Sequence, residues 1–191
     1  MGRAVAAATK GRMIRLFTAL SIPEDMAATL ARRQTGLPGA KWRTAEQLHV
    51  TLAFYGDIDE RRADDLAAEL SRAASGGPFE IVLSGVGAFG DGHRTHAIWA
   101  GLEANERLSV LAGRCRSAGE RAGVVMERRD YRPHVTLAYL KPQTNPDRVG
   151  AWITGHNLLR SPPIRIDRFG LFSSELTPGG SHYQLEREYL L

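Results

Sequence analysis

The five residues HVTLA occur twice in this chain, within LHVTLAFYG at residues 48–56 and again within PHVTLAYLK at residues 133–141. Both stretches are rich in β-branched and apolar residues, which is typical of strands. The repetition, with a histidine at the start of each copy, indicates that the chain holds two related lobes. Each lobe is expected to contribute one copy of the strand.

Side chains alternate between the two faces of a strand, so each copy is predicted to have an apolar face towards the core and a His-x-Thr face. In the first copy the polar face holds His49, Thr51 and Ala53, and the apolar face holds Val50, Leu52 and Phe54. In the second copy the corresponding sets are His134, Thr136 and Ala138, and Val135, Leu137 and Tyr139. If a pseudo-twofold axis relates the lobes, two imidazoles and two hydroxyls meet across one groove.

The rest of the pattern predicts an α+β fold with antiparallel sheets. Strands are predicted at residues 13–20, 41–44, 49–55, 79–83, 95–102, 124–127, 134–140, 164–173 and 181–190, and helices at 24–34, 60–74, 106–122 and 147–154. A glycine-rich turn is predicted over 84–95, and SELTPGG at 174–180 is predicted to join the last two strands. Helices mixed with hairpins in this way favour antiparallel sheets over a doubly wound parallel sheet.

Composition limits the classes of protein to consider. A chain of 191 residues suits one domain or two small lobes on a shared core, and 43% hydrophobic with 24% charged residues disfavours disorder. The net charge of +4 fits a phosphate-bearing partner without proving one. Cys115 has no second cysteine with which to form a disulfide, which favours a reducing compartment such as the cytoplasm. We predict that it is a small buried residue and not a catalytic thiol.

The lengths of the apolar runs bear on membrane spans and on the N-terminal segment. No run approaches the ~18 apolar residues of a membrane span, and the apolar stretch at Ala4–Ala8 is too short for a secretory signal. Residues 1–12 are therefore expected to form a flexible extension, and residues 13–191 a single domain. Because the two lobes already supply both halves of the predicted site, a monomer is expected.

The paired His-x-Thr faces suit phosphoryl chemistry. Imidazole titrates near neutral pH, so one histidine can accept a proton while the other donates one. Threonine hydroxyls can donate hydrogen bonds to phosphate oxygens, and no metal is required to share the charge. A single His-x-Thr motif is most simply explained as part of a structural strand. A duplicated strand that served only the core, however, would not need to keep both of its polar positions. We predict that His49 and His134 are catalytic and that Thr51 and Thr136 bind phosphate.

Other motifs give weaker indications of function. GVGAFG at residues 85–90 matches G-x-G-x-x-G, yet a turn and a strand follow where a dinucleotide site needs a helix, so a hairpin is predicted. His93 and His96 lack the further ligands of a metal site. The sequence contains neither a nucleophile elbow nor a Walker loop. No metal and no cofactor are predicted.

Substrate contacts outside the two motifs are predicted from their position. Arg132 precedes His134 by two residues and is a candidate phosphate or RNA contact. Several aromatic residues near the motifs are candidates to stack on bases, although aromatic residues at such places mostly belong to cores. They are Trp42, Phe54, Tyr55, Phe89 and Tyr131.

The two H-x-T-x motifs, HVTL at 49–52 and HVTL at 134–137, resemble those of the 2H phosphoesterase superfamily. The flanking segments resemble its RNA 2′,3′-cyclic phosphodiesterases, first called 2′-5′ RNA ligases. These segments are RLFTALSIP, GVGAFG followed by HAIWAGL, YRPHVTLAYL, and FGLFSSELTPGGSHYQLEREYLL. The resemblance covers nearly the whole chain from Met13 to Leu191 and implies a bilobal fold with a central cleft and helices outside.

The resemblance also implies an activity. Members of this family open 2′,3′-cyclic phosphates at RNA ends, for example those of tRNA halves, to leave a 2′-phosphate without using a metal. By resemblance His49 is the proton donor to the departing 3′ oxygen, and His134 is the base that activates water. Some members also join RNA ends through a 2′-5′ link. The pseudo-symmetry of the sequence does not itself distinguish the donor from the acceptor.

One departure from the family pattern leaves the substrate open. Many members carry arginine five residues after the second histidine, where this chain has Tyr139; Lys141 follows two residues later and is a candidate substrate contact. A phosphodiesterase for small cyclic nucleotides or for 2′-5′-linked oligonucleotides is therefore an alternative. A non-catalytic RNA-end binder is a second alternative, but a pure binder has no need for two proton-transfer groups.

Overall fold

The structure is a computed structural model that describes residues 12–90, 94–127, 130–177 and 180–191. The helices are α1 (Glu24–Ala31), α2 (Glu60–Ala73), α3 (Glu106–Arg121) and α4 (Pro146–His156), with a short 3-10 turn at Ala45–Gln47. The strands are β1 (Met13–Ser21), β2 (Ala40–Trp42), β3 (His49–Asp59), β4 (Phe79–Ile81), β5 (Leu83–Gly90), β6 (Thr95–Leu102), β7 (His134–Leu140), β8 (Ile164–Ile166), β9 (Arg168–Thr177) and β10 (Gly180–Leu190). The predicted α+β class is confirmed.

One sheet of eight strands carries the two copies of the repeated strand side by side. Its order is β10-β9-β1-β3-β7-β6-β5, with β2 pairing to the outer part of β7, and all of these pairings are antiparallel. The copies, β3 and β7, meet at the middle of the sheet. The four strands on the β3 side form the first lobe, and β2, β5, β6 and β7 form the second. β4 and β8 form a separate two-stranded sheet.

Helices cover the apolar side of the sheet, and side-chain caps fix where α2 and α3 begin. The side chain of Asp59 accepts a hydrogen bond from the Arg62 amide at the start of α2, and Asn105 does the same for Leu108 at the start of α3. α2 and α3 pack against each other and against β3. The helix α4 contacts β5 of the second lobe, and its Trp152 indole donates to the Thr35 carbonyl, between α1 and β2, at 3.0 Å.

Several predicted boundaries are wrong, and each error has a local cause. The first helix ends at Ala31 and not at residue 34, because the amides of Arg33 and Gln34 bond to carbonyls three residues back and tighten the chain into a turn. Most of the turn predicted over 84–95 is strand β5, in which Gly87 leaves room for the Trp99 ring. The strand predicted at 164–173 is two strands, since β8 pairs with β4 whereas β9 pairs with β1.

The strand predicted at residues 124–127 does not form. The Val124 amide instead bonds to the Gly119 carbonyl, so this segment folds back on the end of α3. Val124 is buried there, while Val125 is 96% exposed. The run of apolar and β-branched residues resembles a strand in sequence, but only part of it enters the core.

Residues 1–11 of the extension predicted over 1–12, and the centres of two predicted turns, 91–93 with His93 and 178–179, lie outside the described residues. The division into an extension and one domain stays a prediction. Among the helices that the structure describes, none is long and apolar enough to cross a membrane. Cys115 is buried in α3 as predicted, and burial raises the pKa of its thiol to about 12.

Candidate active site

The two motif strands meet at a pair of valines. Val50 of β3 and Val135 of β7 are antiparallel partners, and both are fully buried at 0% exposure. The antiparallel register on either side of this pair sets His49 next to Thr136 and Thr51 next to His134. All four polar side chains are half-buried on the face opposite the valines. The structure thus brings together the four residues that the repeat predicted.

Each motif strand carries a β-bulge at the same position of the repeat. In the pairing of β1 with β3, Thr18 faces Ala53 and Ala19 faces Thr51, so Leu52 is the extra residue. Between β6 and β7, Leu137 is the extra residue in the same way. A bulge reverses the alternation of side chains beyond it.

The bulges correct one prediction. Phe54 and Tyr139 were expected on the apolar face, but they are 54% and 47% exposed, whereas Ala53 and Ala138 are buried. Beyond the extra residue, positions 54 and 139 return to the face that carries the histidines. This places two aromatic rings on the site face, one from each motif strand.

Both histidines are oriented in the same way by the main chain. The Nδ1 atom of His49 lies 2.8 Å from the Gln47 carbonyl oxygen, and the Nδ1 atom of His134 lies 2.7 Å from the Arg132 carbonyl oxygen. A carbonyl can only accept a hydrogen bond, so Nδ1 is the protonated nitrogen in each neutral ring. The lone pair is then on Nε2, the atom that remains for proton transfer.

Aromatic rings surround both imidazoles, and burial lowers their pKa values. The His49 ring lies 5.1 Å from Phe17 and 5.2 Å from Tyr183 between centroids. Burial lowers the pKa of His49 to about 4, and the positive charges of Arg43 and of a protonated His134 act in the same direction. The His134 ring lies 4.7 Å from Phe89, and burial lowers its pKa too. In the free protein at neutral pH both rings are therefore neutral.

The histidine of the first lobe opens onto an aromatic pocket. This pocket has a volume of about 160 Å³, and its wall includes Phe17, Phe172 and Tyr183 beside His49. A larger pocket of about 210 Å³ lies between residues 75–79 and α3 and includes no residue of either motif. Of these two pockets, the smaller one includes a motif histidine and is therefore the one next to the site.

Comparison with known proteins shows the family of the chain. The family model of the 2′-5′ RNA ligase superfamily matches residues 22–177. The chain belongs to the 2′-5′ RNA ligase superfamily. The resemblance inferred from the two H-x-T-x motifs is therefore confirmed.

Relatives and solved structures of this superfamily match most of the chain. The RNA 2′,3′-cyclic phosphodiesterase of Thermotoga maritima is 33% identical over 150 residues, which is 77% of each chain. That of Methanothermobacter thermautotrophicus is 31% identical over 177 residues, covering 89% of this chain and 95% of the other. The crystal structure of a protein from Thermus thermophilus superposes with a TM-score of 0.77 at 28% identity, covering 93% of this chain and 97% of the other. E. coli LigT complexed with 3′-AMP has a TM-score of 0.75 over 94% and 98%, and its 24% identity supports the fold alone.

The predicted substrate contacts occupy different places in this superfamily fold. The Arg132 side chain is exposed, and its carbonyl orients His134. The Tyr131 hydroxyl donates to the Thr51 carbonyl at 3.2 Å, and so connects the segment before the second motif to the first motif. Burial raises the pKa of this hydroxyl. Phe54 is on the site face. Lys141 is exposed beyond the end of β7, about 23 Å along the strand from His134.

The aromatic candidates separate into core and site. Tyr55 is buried, and its hydroxyl donates to the Cys115 carbonyl. The ring centroids of Trp42 and Trp152 lie 5.9 Å apart. Tyr55 and Trp42 are therefore packing residues. Phe89 lies against His134. The sequence reasoning missed Phe17, Trp99, Tyr183 and Arg43. No short motif marks these residues; strand pairing with the repeats was the signal that could have found Phe17 and Trp99.

Proposed function

We propose that this chain is an RNA 2′,3′-cyclic phosphodiesterase that uses its two histidines as an acid–base pair. The observation that carries the proposal is the pairing of the motif strands at Val50 and Val135, which sets two His-x-Thr faces around one small volume. The relatives at 31% to 33% identity, which are named for this activity, support the reaction type.

The reaction needs one proton removed and one supplied. His134, with Nδ1 held by the Arg132 carbonyl, takes a proton from water on Nε2, and the water oxygen forms a bond to phosphorus. The bond between phosphorus and O3′ breaks, its electron pair stays on O3′, and O3′ takes a proton from Nε2 of His49. The products carry a 2′-phosphate and a 3′-hydroxyl. Exchange with solvent then returns both histidines to their starting states.

The donor role of His49 requires that this histidine be protonated in the complex. The pKa of His49 is about 4 in the free protein, mainly because of burial. The negative charge of a bound cyclic phosphate favours the imidazolium and raises that pKa. Binding and protonation are therefore coupled, and the assignment of the donor to His49 follows the superfamily resemblance.

The threonines complete the phosphate site. Neither the Thr51 nor the Thr136 hydroxyl makes a hydrogen bond to any other residue in the described part of the chain, so both are available to phosphate oxygens. Together with an imidazolium, two hydroxyls can stabilise the charge that develops on the phosphorane-like transition state. We propose on this chemistry that the hydrolysis needs no metal.

The aromatic rings favour a nucleic-acid end as the substrate. Phe17, Phe172 and Tyr183 line a pocket beside His49, and Phe89 and Trp99 flank His134 at 4.7 Å and 6.3 Å. A base can stack on such rings on either side of the phosphate. This two-sided arrangement is also what the reverse 2′-5′ joining of two RNA ends would use.

The test is hydrolysis of an RNA oligonucleotide that ends in a 2′,3′-cyclic phosphate, measured in excess chelator from pH 5 to pH 9. We expect a 2′-phosphate product by ³¹P NMR and a bell-shaped rate profile. His49→Ala and His134→Ala should each lower kcat by about 100- to 10,000-fold. Loss of activity to chelator, or retention of activity in either variant, would overturn the mechanism.

A matched series decides between the substrate classes. A cyclic mononucleotide and a 2′-5′-linked dinucleotide are compared with the oligonucleotide under the same conditions. Higher kcat/KM for the oligonucleotide supports an RNA-end enzyme. Preference for the mononucleotide would make the chain a small cyclic nucleotide phosphodiesterase, and tight binding without turnover would make it an RNA-end binder.

A further inference from the structure

Arg43 is a buried cation that has no acidic partner in the described part of the chain. Arg43 is only 5% exposed, and no carboxylate of the described residues lies within ion-pair distance of its guanidinium. A buried charge without a counter-charge costs free energy. An arginine in this position therefore needs another source of negative charge.

Two tyrosine rings hold the guanidinium in place. Its central carbon lies 5.4 Å from the Tyr139 ring centroid and 5.5 Å from that of Tyr183, and one of its nitrogens donates to the Tyr183 hydroxyl at 2.9 Å. The rings offset part of the desolvation cost through cation–π interaction. A guanidinium has five N–H donors, and this one uses a single one of them on the described residues.

The main chain of Arg43 is fixed as well. Its amide donates to the Leu137 carbonyl at 2.9 Å, which continues the ladder of β2 and β7 by one residue. Its carbonyl accepts from the Gln34 side chain, also at 2.9 Å. Two hydrogen bonds thus hold the main chain of Arg43 directly after the end of β2.

Strand pairing places Arg43 beside the phosphate site. Arg43 bonds to Leu137, the residue after Thr136, and His49 lies on the same side of β7 next to Thr136. Tyr183 touches both residues, since its ring lies 5.2 Å from the His49 ring. The lowering of the His49 pKa by the charge of Arg43 agrees with this proximity.

We propose that Arg43 binds the phosphate of the substrate and supplies the fixed positive charge of the site. The inference rests on the proposed phosphodiesterase function. Arginine suits this role because its planar fork matches the oxygens of a phosphate. Its guanidinium stands over the ring of Tyr139, the position at which many resembling proteins carry an arginine. In this chain the cation reaches the site from the residue that follows β2.

The test compares Arg43→Met and Arg43→Lys with wild type, using the cyclic-phosphate oligonucleotide and inorganic phosphate as a competitive inhibitor. Arg43→Met should lower kcat/KM by about 100-fold and weaken phosphate inhibition by at least about tenfold. Arg43→Lys should recover part of both because it keeps the charge but not the fork. Arg61→Gln is the matched control, since Arg61 is exposed on α2 away from the site, and it should match wild type.

A second readout guards against simple misfolding. In Arg43→Met the pKa of His49, followed by NMR of the ring protons, should rise because one of its lowering charges is gone. A folded Arg43→Met protein with kcat/KM within twofold of wild type and unchanged phosphate inhibition would overturn the proposal for Arg43. Retained activity in His49→Ala would instead overturn the proposed function, so the two failures are distinguishable.

Discussion

Val50 and Val135 lie opposite each other at the seam between the two lobes, and both are fully buried. Within the described residues this is the one position at which β3 and β7 pair. The relative placement of the two His-x-Thr faces therefore depends on a very short stretch of contact.

Truncation at this seam should affect activity more than its effect on stability suggests. Val135→Ala removes buried methyl groups and should lower the free energy of unfolding by about 2 kcal/mol, measured by urea titration. Because a small displacement of one face separates acid from base, kcat/KM should fall by about 10- to 100-fold. Val110→Ala, at a 45% exposed position of α3, is the control. Unchanged kcat/KM in a destabilised Val135→Ala protein would show that the seam does not set the site geometry.

Stability should depend on pH through His49. Its pKa is about 4 in the folded chain and about 6.5 in the unfolded one, so between these values the unfolded chain binds more protons. The stabilisation by neutral His49 is full above pH 6.5 and is lost as pH falls to about 4, by roughly 3 kcal/mol. His49→Gln should flatten this dependence in urea titrations between pH 4.5 and 7.5. Exposed His182→Gln on β10 is the control, and equal slopes in both variants would contradict the prediction.

The two threonines should contribute comparably. Thr51→Val and Thr136→Val remove a hydroxyl at nearly constant shape, and each should lower kcat/KM by about 10- to 100-fold through a lost hydrogen bond to a charged group. Serine at either position should restore most of the activity. Thr154→Val, on the exposed side of α4, should stay within twofold of wild type. A loss confined to one threonine would mean that the phosphate does not sit on the pseudo-twofold axis.

A guanidinium supplied from position 139 should substitute for Arg43. Tyr139 is on the site face and its ring lies 5.4 Å from the Arg43 guanidinium carbon. In the Arg43→Met background, Tyr139→Arg should raise kcat/KM at least about tenfold, whereas Tyr139→Gln in the same background should not. Equal activity of the two double variants would show that a cation at position 139 does not reach the phosphate in this chain.

The repeat in the sequence was enough to predict the four central residues of the candidate site. His49, Thr51, His134 and Thr136 lie on one face because the alternation of a strand holds over the first four residues of each copy. The alternation fails beyond Leu52 and Leu137, where each strand gains a bulge. A bulge depends on the partner strand, and the partners β1 and β6 are distant in sequence.

Arg43 and Tyr183 were missed for a related reason. Arg43 follows a short strand that pairs with β7, and Tyr183 lies on β10, far from either motif along the chain. Charge, aromaticity and local periodicity do not distinguish a buried cation at a strand end from an exposed one. Two separate strand pairings bring these residues to the site: β2 pairs with β7 and places Arg43, while β9 and β10 join β1 and place Tyr183.

The orientation of the two imidazoles by the carbonyls of Gln47 and Arg132 has an evolutionary consequence. A peptide carbonyl is present whichever amino acid occupies a position, so the ring geometry puts no selective demand on the side chains of residues 47 and 132. Those side chains can therefore serve other contacts. In this chain the Gln47 side chain donates to the Ser181 carbonyl at 2.7 Å and so contacts the β9–β10 hairpin, while the Arg132 side chain is exposed. A substitution at either position can thus change these side-chain contacts without removing the carbonyl that orients the histidine.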